Sequence, residues 1–498
     1  MSVRLNKFFA PLTLGVLLLI VYSATLAPGL TWANSGSDGG DLITAAAVGG
    51  VPHPTGYPTY LILARAFQVL PIGSLAYRTN LMSAIFTCMA AALLCDVLRR
   101  IPVASERRAA LTAWTAGLAF GLSPLIWSQA VITEVYALEV FAIVLAIWLL
   151  TKLSAAPRAD LFFGVFLGLL PGIHLTTVLL IPAFMLARAL DPAAGGSLRT
   201  AAISLLRQAG GLAIGLLIFA VLPLRAMQHP SVDWGGASSP ARLWWLVSGQ
   251  LYQDNFSVGA AALGDHARSM AALLLDQAGL PGVALGVLGL IWYFRRSRWI
   301  LLTAWMFAAA VGFAASYQTE DFNLYLIPAI VSFAIWFGWG SALLAQQLSQ
   351  RWRLAGDGLT IMLIAYLLVL AASHWAQVDA AHDARAENFA RAALQTLPPG
   401  AIVLARGDGA VFALWYEVFA LRQRTDLVVL AEDLLPFPWY RETLHATYPG
   451  LVLPDQAEVV WAVDIQRGNV GRPLCFAIAD ASATIDCPQG GAREVGGK

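Results

Sequence analysis

Residues 35–60 read SGSDGGDLITAAAVGGVPHPTGYPTY. The stretch follows the first strongly apolar segment and sets two carboxylates, Asp38 and Asp41, among Gly36, Gly39, Gly40 and Gly49. A His-Pro-Thr-Gly-Tyr-Pro run closes it, with Pro52, Pro54 and Pro58 holding the backbone extended up to about Thr59. If a helix begins at the acids, their spacing puts both on one face. A carboxylate just outside a membrane helix, in a partly dry cleft, suits proton abstraction from a hydroxyl. Asp38 suits equally the N-cap of a helix through ITAAAV, and on residue type alone capping is the stronger reading. The turn holding His53 and Tyr57 can present an imidazole or a phenol to a phosphate or sugar, or simply lead into the next helix.

The rest of the chain reads as a scaffold in a membrane. Of 498 residues, 58% are hydrophobic and 12% charged, against about 25% charged in ordinary soluble domains. One core cannot hide that excess, so the class is an α-helical polytopic membrane protein. The net charge of +1 gives no reason to expect a nucleic-acid partner. Apolar runs of spanning or near-spanning length fall at about 9–27, 78–98, 109–127, 131–151, 159–173, 174–190, 204–223, 279–294, 299–316, 323–345 and 358–375, eleven segments in all. The pair across Pro171-Gly172 is short, either one broken hairpin or two thin helices. Residues 55–70 are amphipathic and too short to span, which fits a helix lying along the membrane surface.

Lys and Arg set the orientation. With the N-terminus in the cytoplasm, the inside loops carry Arg4, Lys7, Arg99, Arg100, Arg107, Arg108, Lys152, Arg158, Arg188, Arg199, Arg207, Arg295, Arg296, Arg298, Arg351 and Arg353. Outside, ahead of the C-terminal region, stand only Arg65, Arg78, Arg225, Arg242 and Arg268. Eleven spans then leave the C-terminal region outside. A cleaved signal peptide ending near Ala24 or Ala27 is the weaker account of the first segment, since its loss would unanchor the acidic loop.

The expected domains are residues 1–375, a transmembrane unit with external loops at 28–77 and 224–278, and residues 376–498, an outer α/β domain. The second holds 10 Lys+Arg and 15 Asp+Glu, a net of −5. Strand-length runs occur at 401–405, 427–431, 458–463 and 474–479, and helical patterns near 380–396, 409–421 and 437–447. Cys475 and Cys487 lie in this domain. If it is outside the cytoplasm they can close a short hairpin as a disulfide, worth about 3 kcal/mol on a loop-entropy model; otherwise they are two free thiols. Cys88 and Cys95 sit in an apolar run and read as small buried hydrophobes.

Further chemistry-bearing candidates lie at predicted outer ends of helices. Glu134 and Tyr136 open the 131–151 segment, where an acid at membrane depth faces a cavity or begins a solvated turn. His174 falls at the turn GLLPGIHLTT, and Arg225 follows VLPL, where it can clamp a phosphate or snorkel to lipid headgroups. The long aromatic stretch after it fits a lid or substrate wall. Asp408 and the LWY run at 414–416 follow a predicted strand and either bind acceptor or form a turn and a core, the second being preferred, and the RGD triplet at 406–408 reads as chance. There is no Walker A, no GxGxxG after a strand, no HExxH and no CxxC pair, which argues against nucleotide hydrolysis, a Rossmann cofactor or a zinc site.

Several of these motifs resemble one family in its own order. SDGGDLITAAAVGGVPHPTGYPTYLIL resembles its D-x-G-E…HPPGYP signature, and the similarity continues in SQAVITEVYALEVF, GLLPGIHLTTVLLIP, LPLRAMQHPSVDWGGASSPARLWWLVSGQLY and LARGDGAVFALWYEVFALRQRTDLVVLAEDLLPFPWY. The family comprises integral membrane proteins, among them the vertebrate transmembrane O-mannosyltransferase acting on IPT domains of plexins and related receptors, and bacterial members. Asp41 departs from the pattern, which carries Glu there. The resemblance implies a GT-C glycosyltransferase fold of the bacterial inner membrane with its active site outside. It implies transfer of mannose or another hexose from a polyprenyl-phosphate donor to a hydroxyl of a protein or glycan. Asp38 or Asp41 would be the base, with Asp38, which matches the family's Asp, preferred. His53, Tyr57, Glu134, Tyr136, His174 and Arg225 would serve donor phosphate or sugar. No cofactor and no metal are expected. A transporter or flippase of lipid-linked sugars, and a non-catalytic membrane receptor, are the readings from other classes.

Overall fold

The computed structural model describes residues 2–100, 106–191, 197–256, 260–294, 299–319, 321–352, 354–456, 460–479 and 484–488. Arg295, Arg296, Arg298 and Arg353 of the orientation argument lie outside that range, as do residues 458–459 of one expected strand.

Six described helices are long and apolar enough to cross a bilayer: Leu75–Leu98, Leu198–Ala226, Arg268–Tyr293, Trp299–Ser316, Phe322–Arg351 and Ala355–Val378. A seventh arises if Glu106–Gly121 and Pro124–Ala130, bent by 68° at their break, form one span. Shorter apolar helices cover Phe9–Thr25 and Tyr136–Lys152. Elsewhere polar turns and prolines shorten the helices. The bend at Pro124 interrupts 109–127, and two short turns carrying Pro171 and His174 separate the helices Pro157–Leu169 and Ile181–Ala189. Phe322–Arg351 is buried on all sides, whereas Leu198–Ala226 and Ala355–Val378 keep most of their surface outward. Leu217, Leu301, Ile361 and Val369 on the outer helices are all more than half exposed, as expected of surface facing lipid tails.

Backbone proximity substitutes for the missing hydrophobic drive between helices in lipid. Helices Pro157–Leu169 and Leu198–Leu216 meet through Gly164 and Gly168 on one and Gly211 and Gly215 on the other, each spaced four apart. A Cβ on Gly164 would run into the Gln208 carbonyl, and one on Gly211 into that of Leu161. Helix ends are tied by ion pairs: Asp160 to Arg188 at 2.9 Å, and Asp96 to Arg99 at 2.7 Å and Lys152 at 3.0 Å.

The two loops expected to lie outside are structured. The first holds a turn at Ala33–Asp38, a helix at Gly39–Val48 and a second helix at Pro58–Gln68. The latter buries Tyr60, Leu61, Ala64 and Gln68, one stripe at helical spacing, where the amphipathic pattern placed a surface helix. The second carries a turn at Trp234–Gly236 and a helix at Pro240–Val247. The helix Ala260–Tyr293 begins about a score of residues before the apolar run at 279, since alanine and leucine favour helix on either side of a break at Gly279.

Beyond Val378 the chain forms a four-stranded sheet, order β2-β1-β3-β4, from β1 (Ile402–Arg406), β2 (Val428–Ala431), β3 (Leu474–Ile478) and β4 (Thr484–Asp486). β1 pairs parallel with β2 and β3, and β4 closes β3 antiparallel. The strand expected at 458–463 is absent: residues Trp461–Gly468 are helical. Ala462 and the fully buried Ile465 lie three apart, and that period extends past the short run that mimicked a strand. Cys475 on β3 and Cys487 just after β4 are joined as a disulfide, while Cys88 and Cys95 are buried free thiols.

The glycine contacts predict a sharp contrast between neighbours. Gly211→Ala forces two backbones apart and should lower the thermal midpoint in detergent, at a cost of about 1–3 kcal/mol. Gly210→Ala, which meets nothing within 4 Å, should leave it unchanged or slightly higher. Equal midpoints for both would contradict the packing.

Candidate active site

The helix Gly39–Val48 is set by close approaches on two sides. A Cβ at Gly39 would sit 3.0 Å from the Thr133 carbonyl, and one at Gly40 2.8 Å from that of Phe412 in the outer domain. The glycines beside the acids therefore let this helix seat between the 131–135 turn and the outer domain. Asp38 occupies its N-cap position, yet its side chain makes no capping hydrogen bond. The capping reading fails there, and the carboxylate is left for other partners. It is 38% exposed, whereas Asp41, one turn on, is fully buried.

Asp41 is a hub. Its Oδ2 accepts from the His53 backbone N–H at 2.8 Å and from His53 Nδ1 at 2.7 Å, and its Oδ1 accepts from Trp234 Nε1 at 3.3 Å. This fixes the imidazole so that Nε2 faces Asp38 Oδ2 at 3.6 Å. Burial opposes the imidazolium, but the Asp38 charge and the bond to Asp41 outweigh it and raise His53 to about 9. Burial raises Asp38 above the ordinary carboxylate range, with Asp41 and Asp321 adding to the effect and His53 opposing it. The pair is thus a cationic imidazole beside a carboxylate more basic than a free one.

Asp38 and His53 open into a cavity of about 440 Å³. Tyr57, Tyr136 and His174 line it too, so five residues picked from separate stretches of sequence converge. The Tyr57 and His174 rings lie parallel with centroids 6.4 Å apart, and His174 Nδ1 meets Thr176 Oγ1 at 2.6 Å, which donates to the buried Glu139 at 3.3 Å. His53 and His174 are the only described lining residues able to carry positive charge.

Three candidates stand elsewhere. Asp41 does not face the cavity and reaches it only through His53. Glu134 is 5% exposed with its carboxylate on the Val135 N–H at 3.3 Å, and burial followed by the Asp38 charge pushes it well above the ordinary range. Arg225, read as a phosphate clamp, instead donates to the Gly50 carbonyl at 3.1 Å and is absent from the lining. That carbonyl lies just after the helix Gly39–Val48, where the arginine satisfies it.

The structure adds residues that motif reading passed over. Asp321, Tyr325, Tyr317 and Tyr252 line the cavity. Asp321 lies between two long apolar helices, and Tyr325 in the first turn of the second. Asp408 corrects the turn-and-core reading: it lines the cavity from the first turn of helix Asp408–Trp415, and burial, aided by Asp38, raises it to about 6. The LWY run beside it is core, with Leu414, Trp415 and Tyr416 all buried. Among the described residues, no group of three or more His, Cys, Asp or Glu is arranged to hold a metal ion.

Comparison with known proteins gives the same picture. Residues 38–191 match the family model "Protein O-mannosyl-transferase TMEM260 N-terminal domain", and residues 386–456 match "TMEM260-associated domain 2". Protein O-mannosyl-transferase TMEM260 of Mus musculus is 26% identical over 453 residues, covering 84% of this chain. The chain spans 62% of that relative's length. The crystal structure of ArnT from Cupriavidus metallidurans bound to undecaprenyl phosphate superposes with a TM-score of 0.59 at 14% identity, over 95% of this chain and 93% of ArnT. The apo ArnT structure gives 0.59 at 14% over 94% and 92%. By sequence the chain is thus similar to the O-mannosyl-transferase TMEM260, and its fold is that of the ArnT structures.

Proposed function

We propose that the chain is a glycosyltransferase that moves a hexose from a polyprenyl-phosphate donor to a hydroxyl acceptor, with Asp38 as base. The observation that carries this is the uncapped, partly exposed Asp38 carboxylate facing the cavity and held beside a buried His53 that Asp41 fixes. The similarity to TMEM260 and the ArnT-like fold support the class of reaction.

In the proposed step, the acceptor hydroxyl gives its proton to Asp38 as its oxygen attacks the anomeric carbon. The bond from that carbon to the phosphate oxygen breaks, and polyprenyl phosphate leaves with the electron pair, inverting the centre. A pKa raised by burial makes Asp38 a better proton acceptor than a free aspartate. Cationic His53 offers the cavity a positive charge for the phosphate while Asp41 holds its ring. In this reading the cavity and the C-terminal domain lie outside the inner membrane, and the acceptor is a protein or glycan hydroxyl.

Purified protein would be given radiolabelled polyprenyl-phosphate mannose and glucose with a mixed extract as acceptor. Asp38→Asn should lose about 10²–10⁴-fold in transfer while keeping its thermal midpoint. Full transfer by that variant would remove Asp38 as base.

The pH profile gives a second test. Asp38 works deprotonated, so kcat/KM should fall as pH drops through its raised pKa. Asp321 contributes to that rise, and Asp321→Asn removes a negative charge that disfavours ionisation. The acid limb should therefore move to lower pH in the variant. An unmoved or upward-shifted limb would contradict the assignment.

A further inference from the structure

One buried carboxylate close to the cavity has no part in the step proposed above. Glu139 is 1% exposed and lies in the first turn of the helix Tyr136–Lys152. A carboxylate at membrane depth is costly to keep and is by default a functional group. Its side chain meets two others among the described residues. Thr176 Oγ1 donates to its Oε1 at 3.3 Å, and His174 Nδ1 stands 3.5 Å from the same oxygen. Among the described residues, no other group able to carry positive charge reaches it.

Hydrogen counting gives the polarity of this chain. A threonine hydroxyl has one hydrogen. With that hydrogen on Glu139, Thr176 Oγ1 accepts from His174 Nδ1–H at 2.6 Å. Nδ1 is thus occupied, and Nε2 is the ring nitrogen left over. It has no partner among the described residues. His174 is only 7% exposed, yet its Nε2 is not one of the sealed, unpartnered polar atoms, so it opens into the cavity that His174 lines. The ring is wedged in place by Tyr136 and Tyr325, at 5.1 and 5.8 Å between centroids. His53 is built alike, with Nδ1 on the buried Asp41, but its Nε2 already faces Asp38 at 3.6 Å. Tyr57 stands between the two imidazoles, 5.1 Å from His53 and 6.4 Å from His174. An inverting displacement needs base and leaving group on opposite faces of the sugar, and two imidazoles flanking Tyr57 supply two such ends.

We propose that Glu139 is a positioning residue that acts through Thr176 on His174, whose Nε2–H donates to the phosphate of the polyprenyl donor and of the released polyprenyl phosphate. The inference rests on the glycosyltransferase reading for the class of ligand. Glu139 compensates the imidazolium charge from the Nδ1 side, and Thr176 sets the tilt of the ring. His53 keeps its place beside the base, and His174 makes the direct contact with the leaving oxygen's phosphate.

The test is NMR of full-length, histidine-labelled protein in detergent, with the His174 signal assigned by its loss in His174→Gln. Undecaprenyl phosphate should shift that signal, and undecaprenol, which lacks the phosphate, should not. Glu139→Gln keeps the side-chain volume and removes the charge. It should bind undecaprenyl phosphate about tenfold more weakly and raise the donor KM more than it lowers kcat. Thr176→Val should weaken binding similarly, whereas Thr176→Ser, which keeps the hydroxyl, should bind as wild type does. The Thr176 pair tests the relay even if Glu139→Gln fails to fold. A His174 signal unmoved at saturating undecaprenyl phosphate, an equal shift with undecaprenol, undiminished affinity in folded Glu139→Gln, or equal affinity in Thr176→Val and Thr176→Ser would each overturn the assignment. Asp38→Asn should bind no more weakly than wild type, so lost or unaltered transfer in that variant decides the catalytic reading separately from this one.

Discussion

A fully buried carboxylate with three donors underlies the candidate active site. Asp41 takes hydrogen bonds from two groups of His53 and from the Trp234 indole. An isolated ionised carboxylate in such a place would cost many kcal/mol, so the arrangement persists only while all three donors are present. Two of them come from the Pro-bracketed turn and one from the second external loop. The single side chain therefore fixes where the first loop, the second loop and the imidazole sit with respect to one another. Asp38, one helical turn earlier, acquires its position and its cationic neighbour as a consequence.

The C-terminal domain completes the site rather than merely following the apolar helices. Trp234 packs against Trp439 at 5.8 Å and Phe412 at 6.3 Å between ring centroids. Arg242 makes a bidentate pair with Glu442 at 2.6 and 2.7 Å, and Asp383 accepts from Thr31 Oγ1 at 2.6 Å and the Trp32 N–H at 3.0 Å. Exposed ion pairs of this kind each contribute little. The aromatic cluster buries far more area, and it ends on the indole that holds Asp41. Docking of the domain and the geometry of the imidazole are in this way one event, and the same docking brings Asp408 to the cavity wall.

Much of this was legible in the sequence, for physical reasons that differ between elements. The first loop announced itself because two acids, several glycines and a proline-locked histidine are costly beside apolar spans and imply a purpose. His174 and Tyr136 were marked by position at predicted outer turns. Asp408 reaches the cavity wall through the docking of a segment some 370 residues from Asp38, which no local pattern records. Arg225 suits both a phosphate and a loop carbonyl at a membrane edge, and the structure pairs it with the Gly50 carbonyl. Short apolar stretches misled most. Residues 461–463 are too few to separate a period of two from one of 3.6, and the apolar run at 109–127 conceals the bend at Pro124.

The central claim is that Asp41 holds His53 as a cation beside Asp38. NMR titration of the His53 ring in isotope-labelled protein tests it most directly, with Asp41→Asn measured alongside. The account predicts titration near pH 9 in the wild type and at clearly lower pH in the variant, which loses both the charge and the strong acceptor. Titration near the ordinary value of 6.5 in both proteins would contradict it.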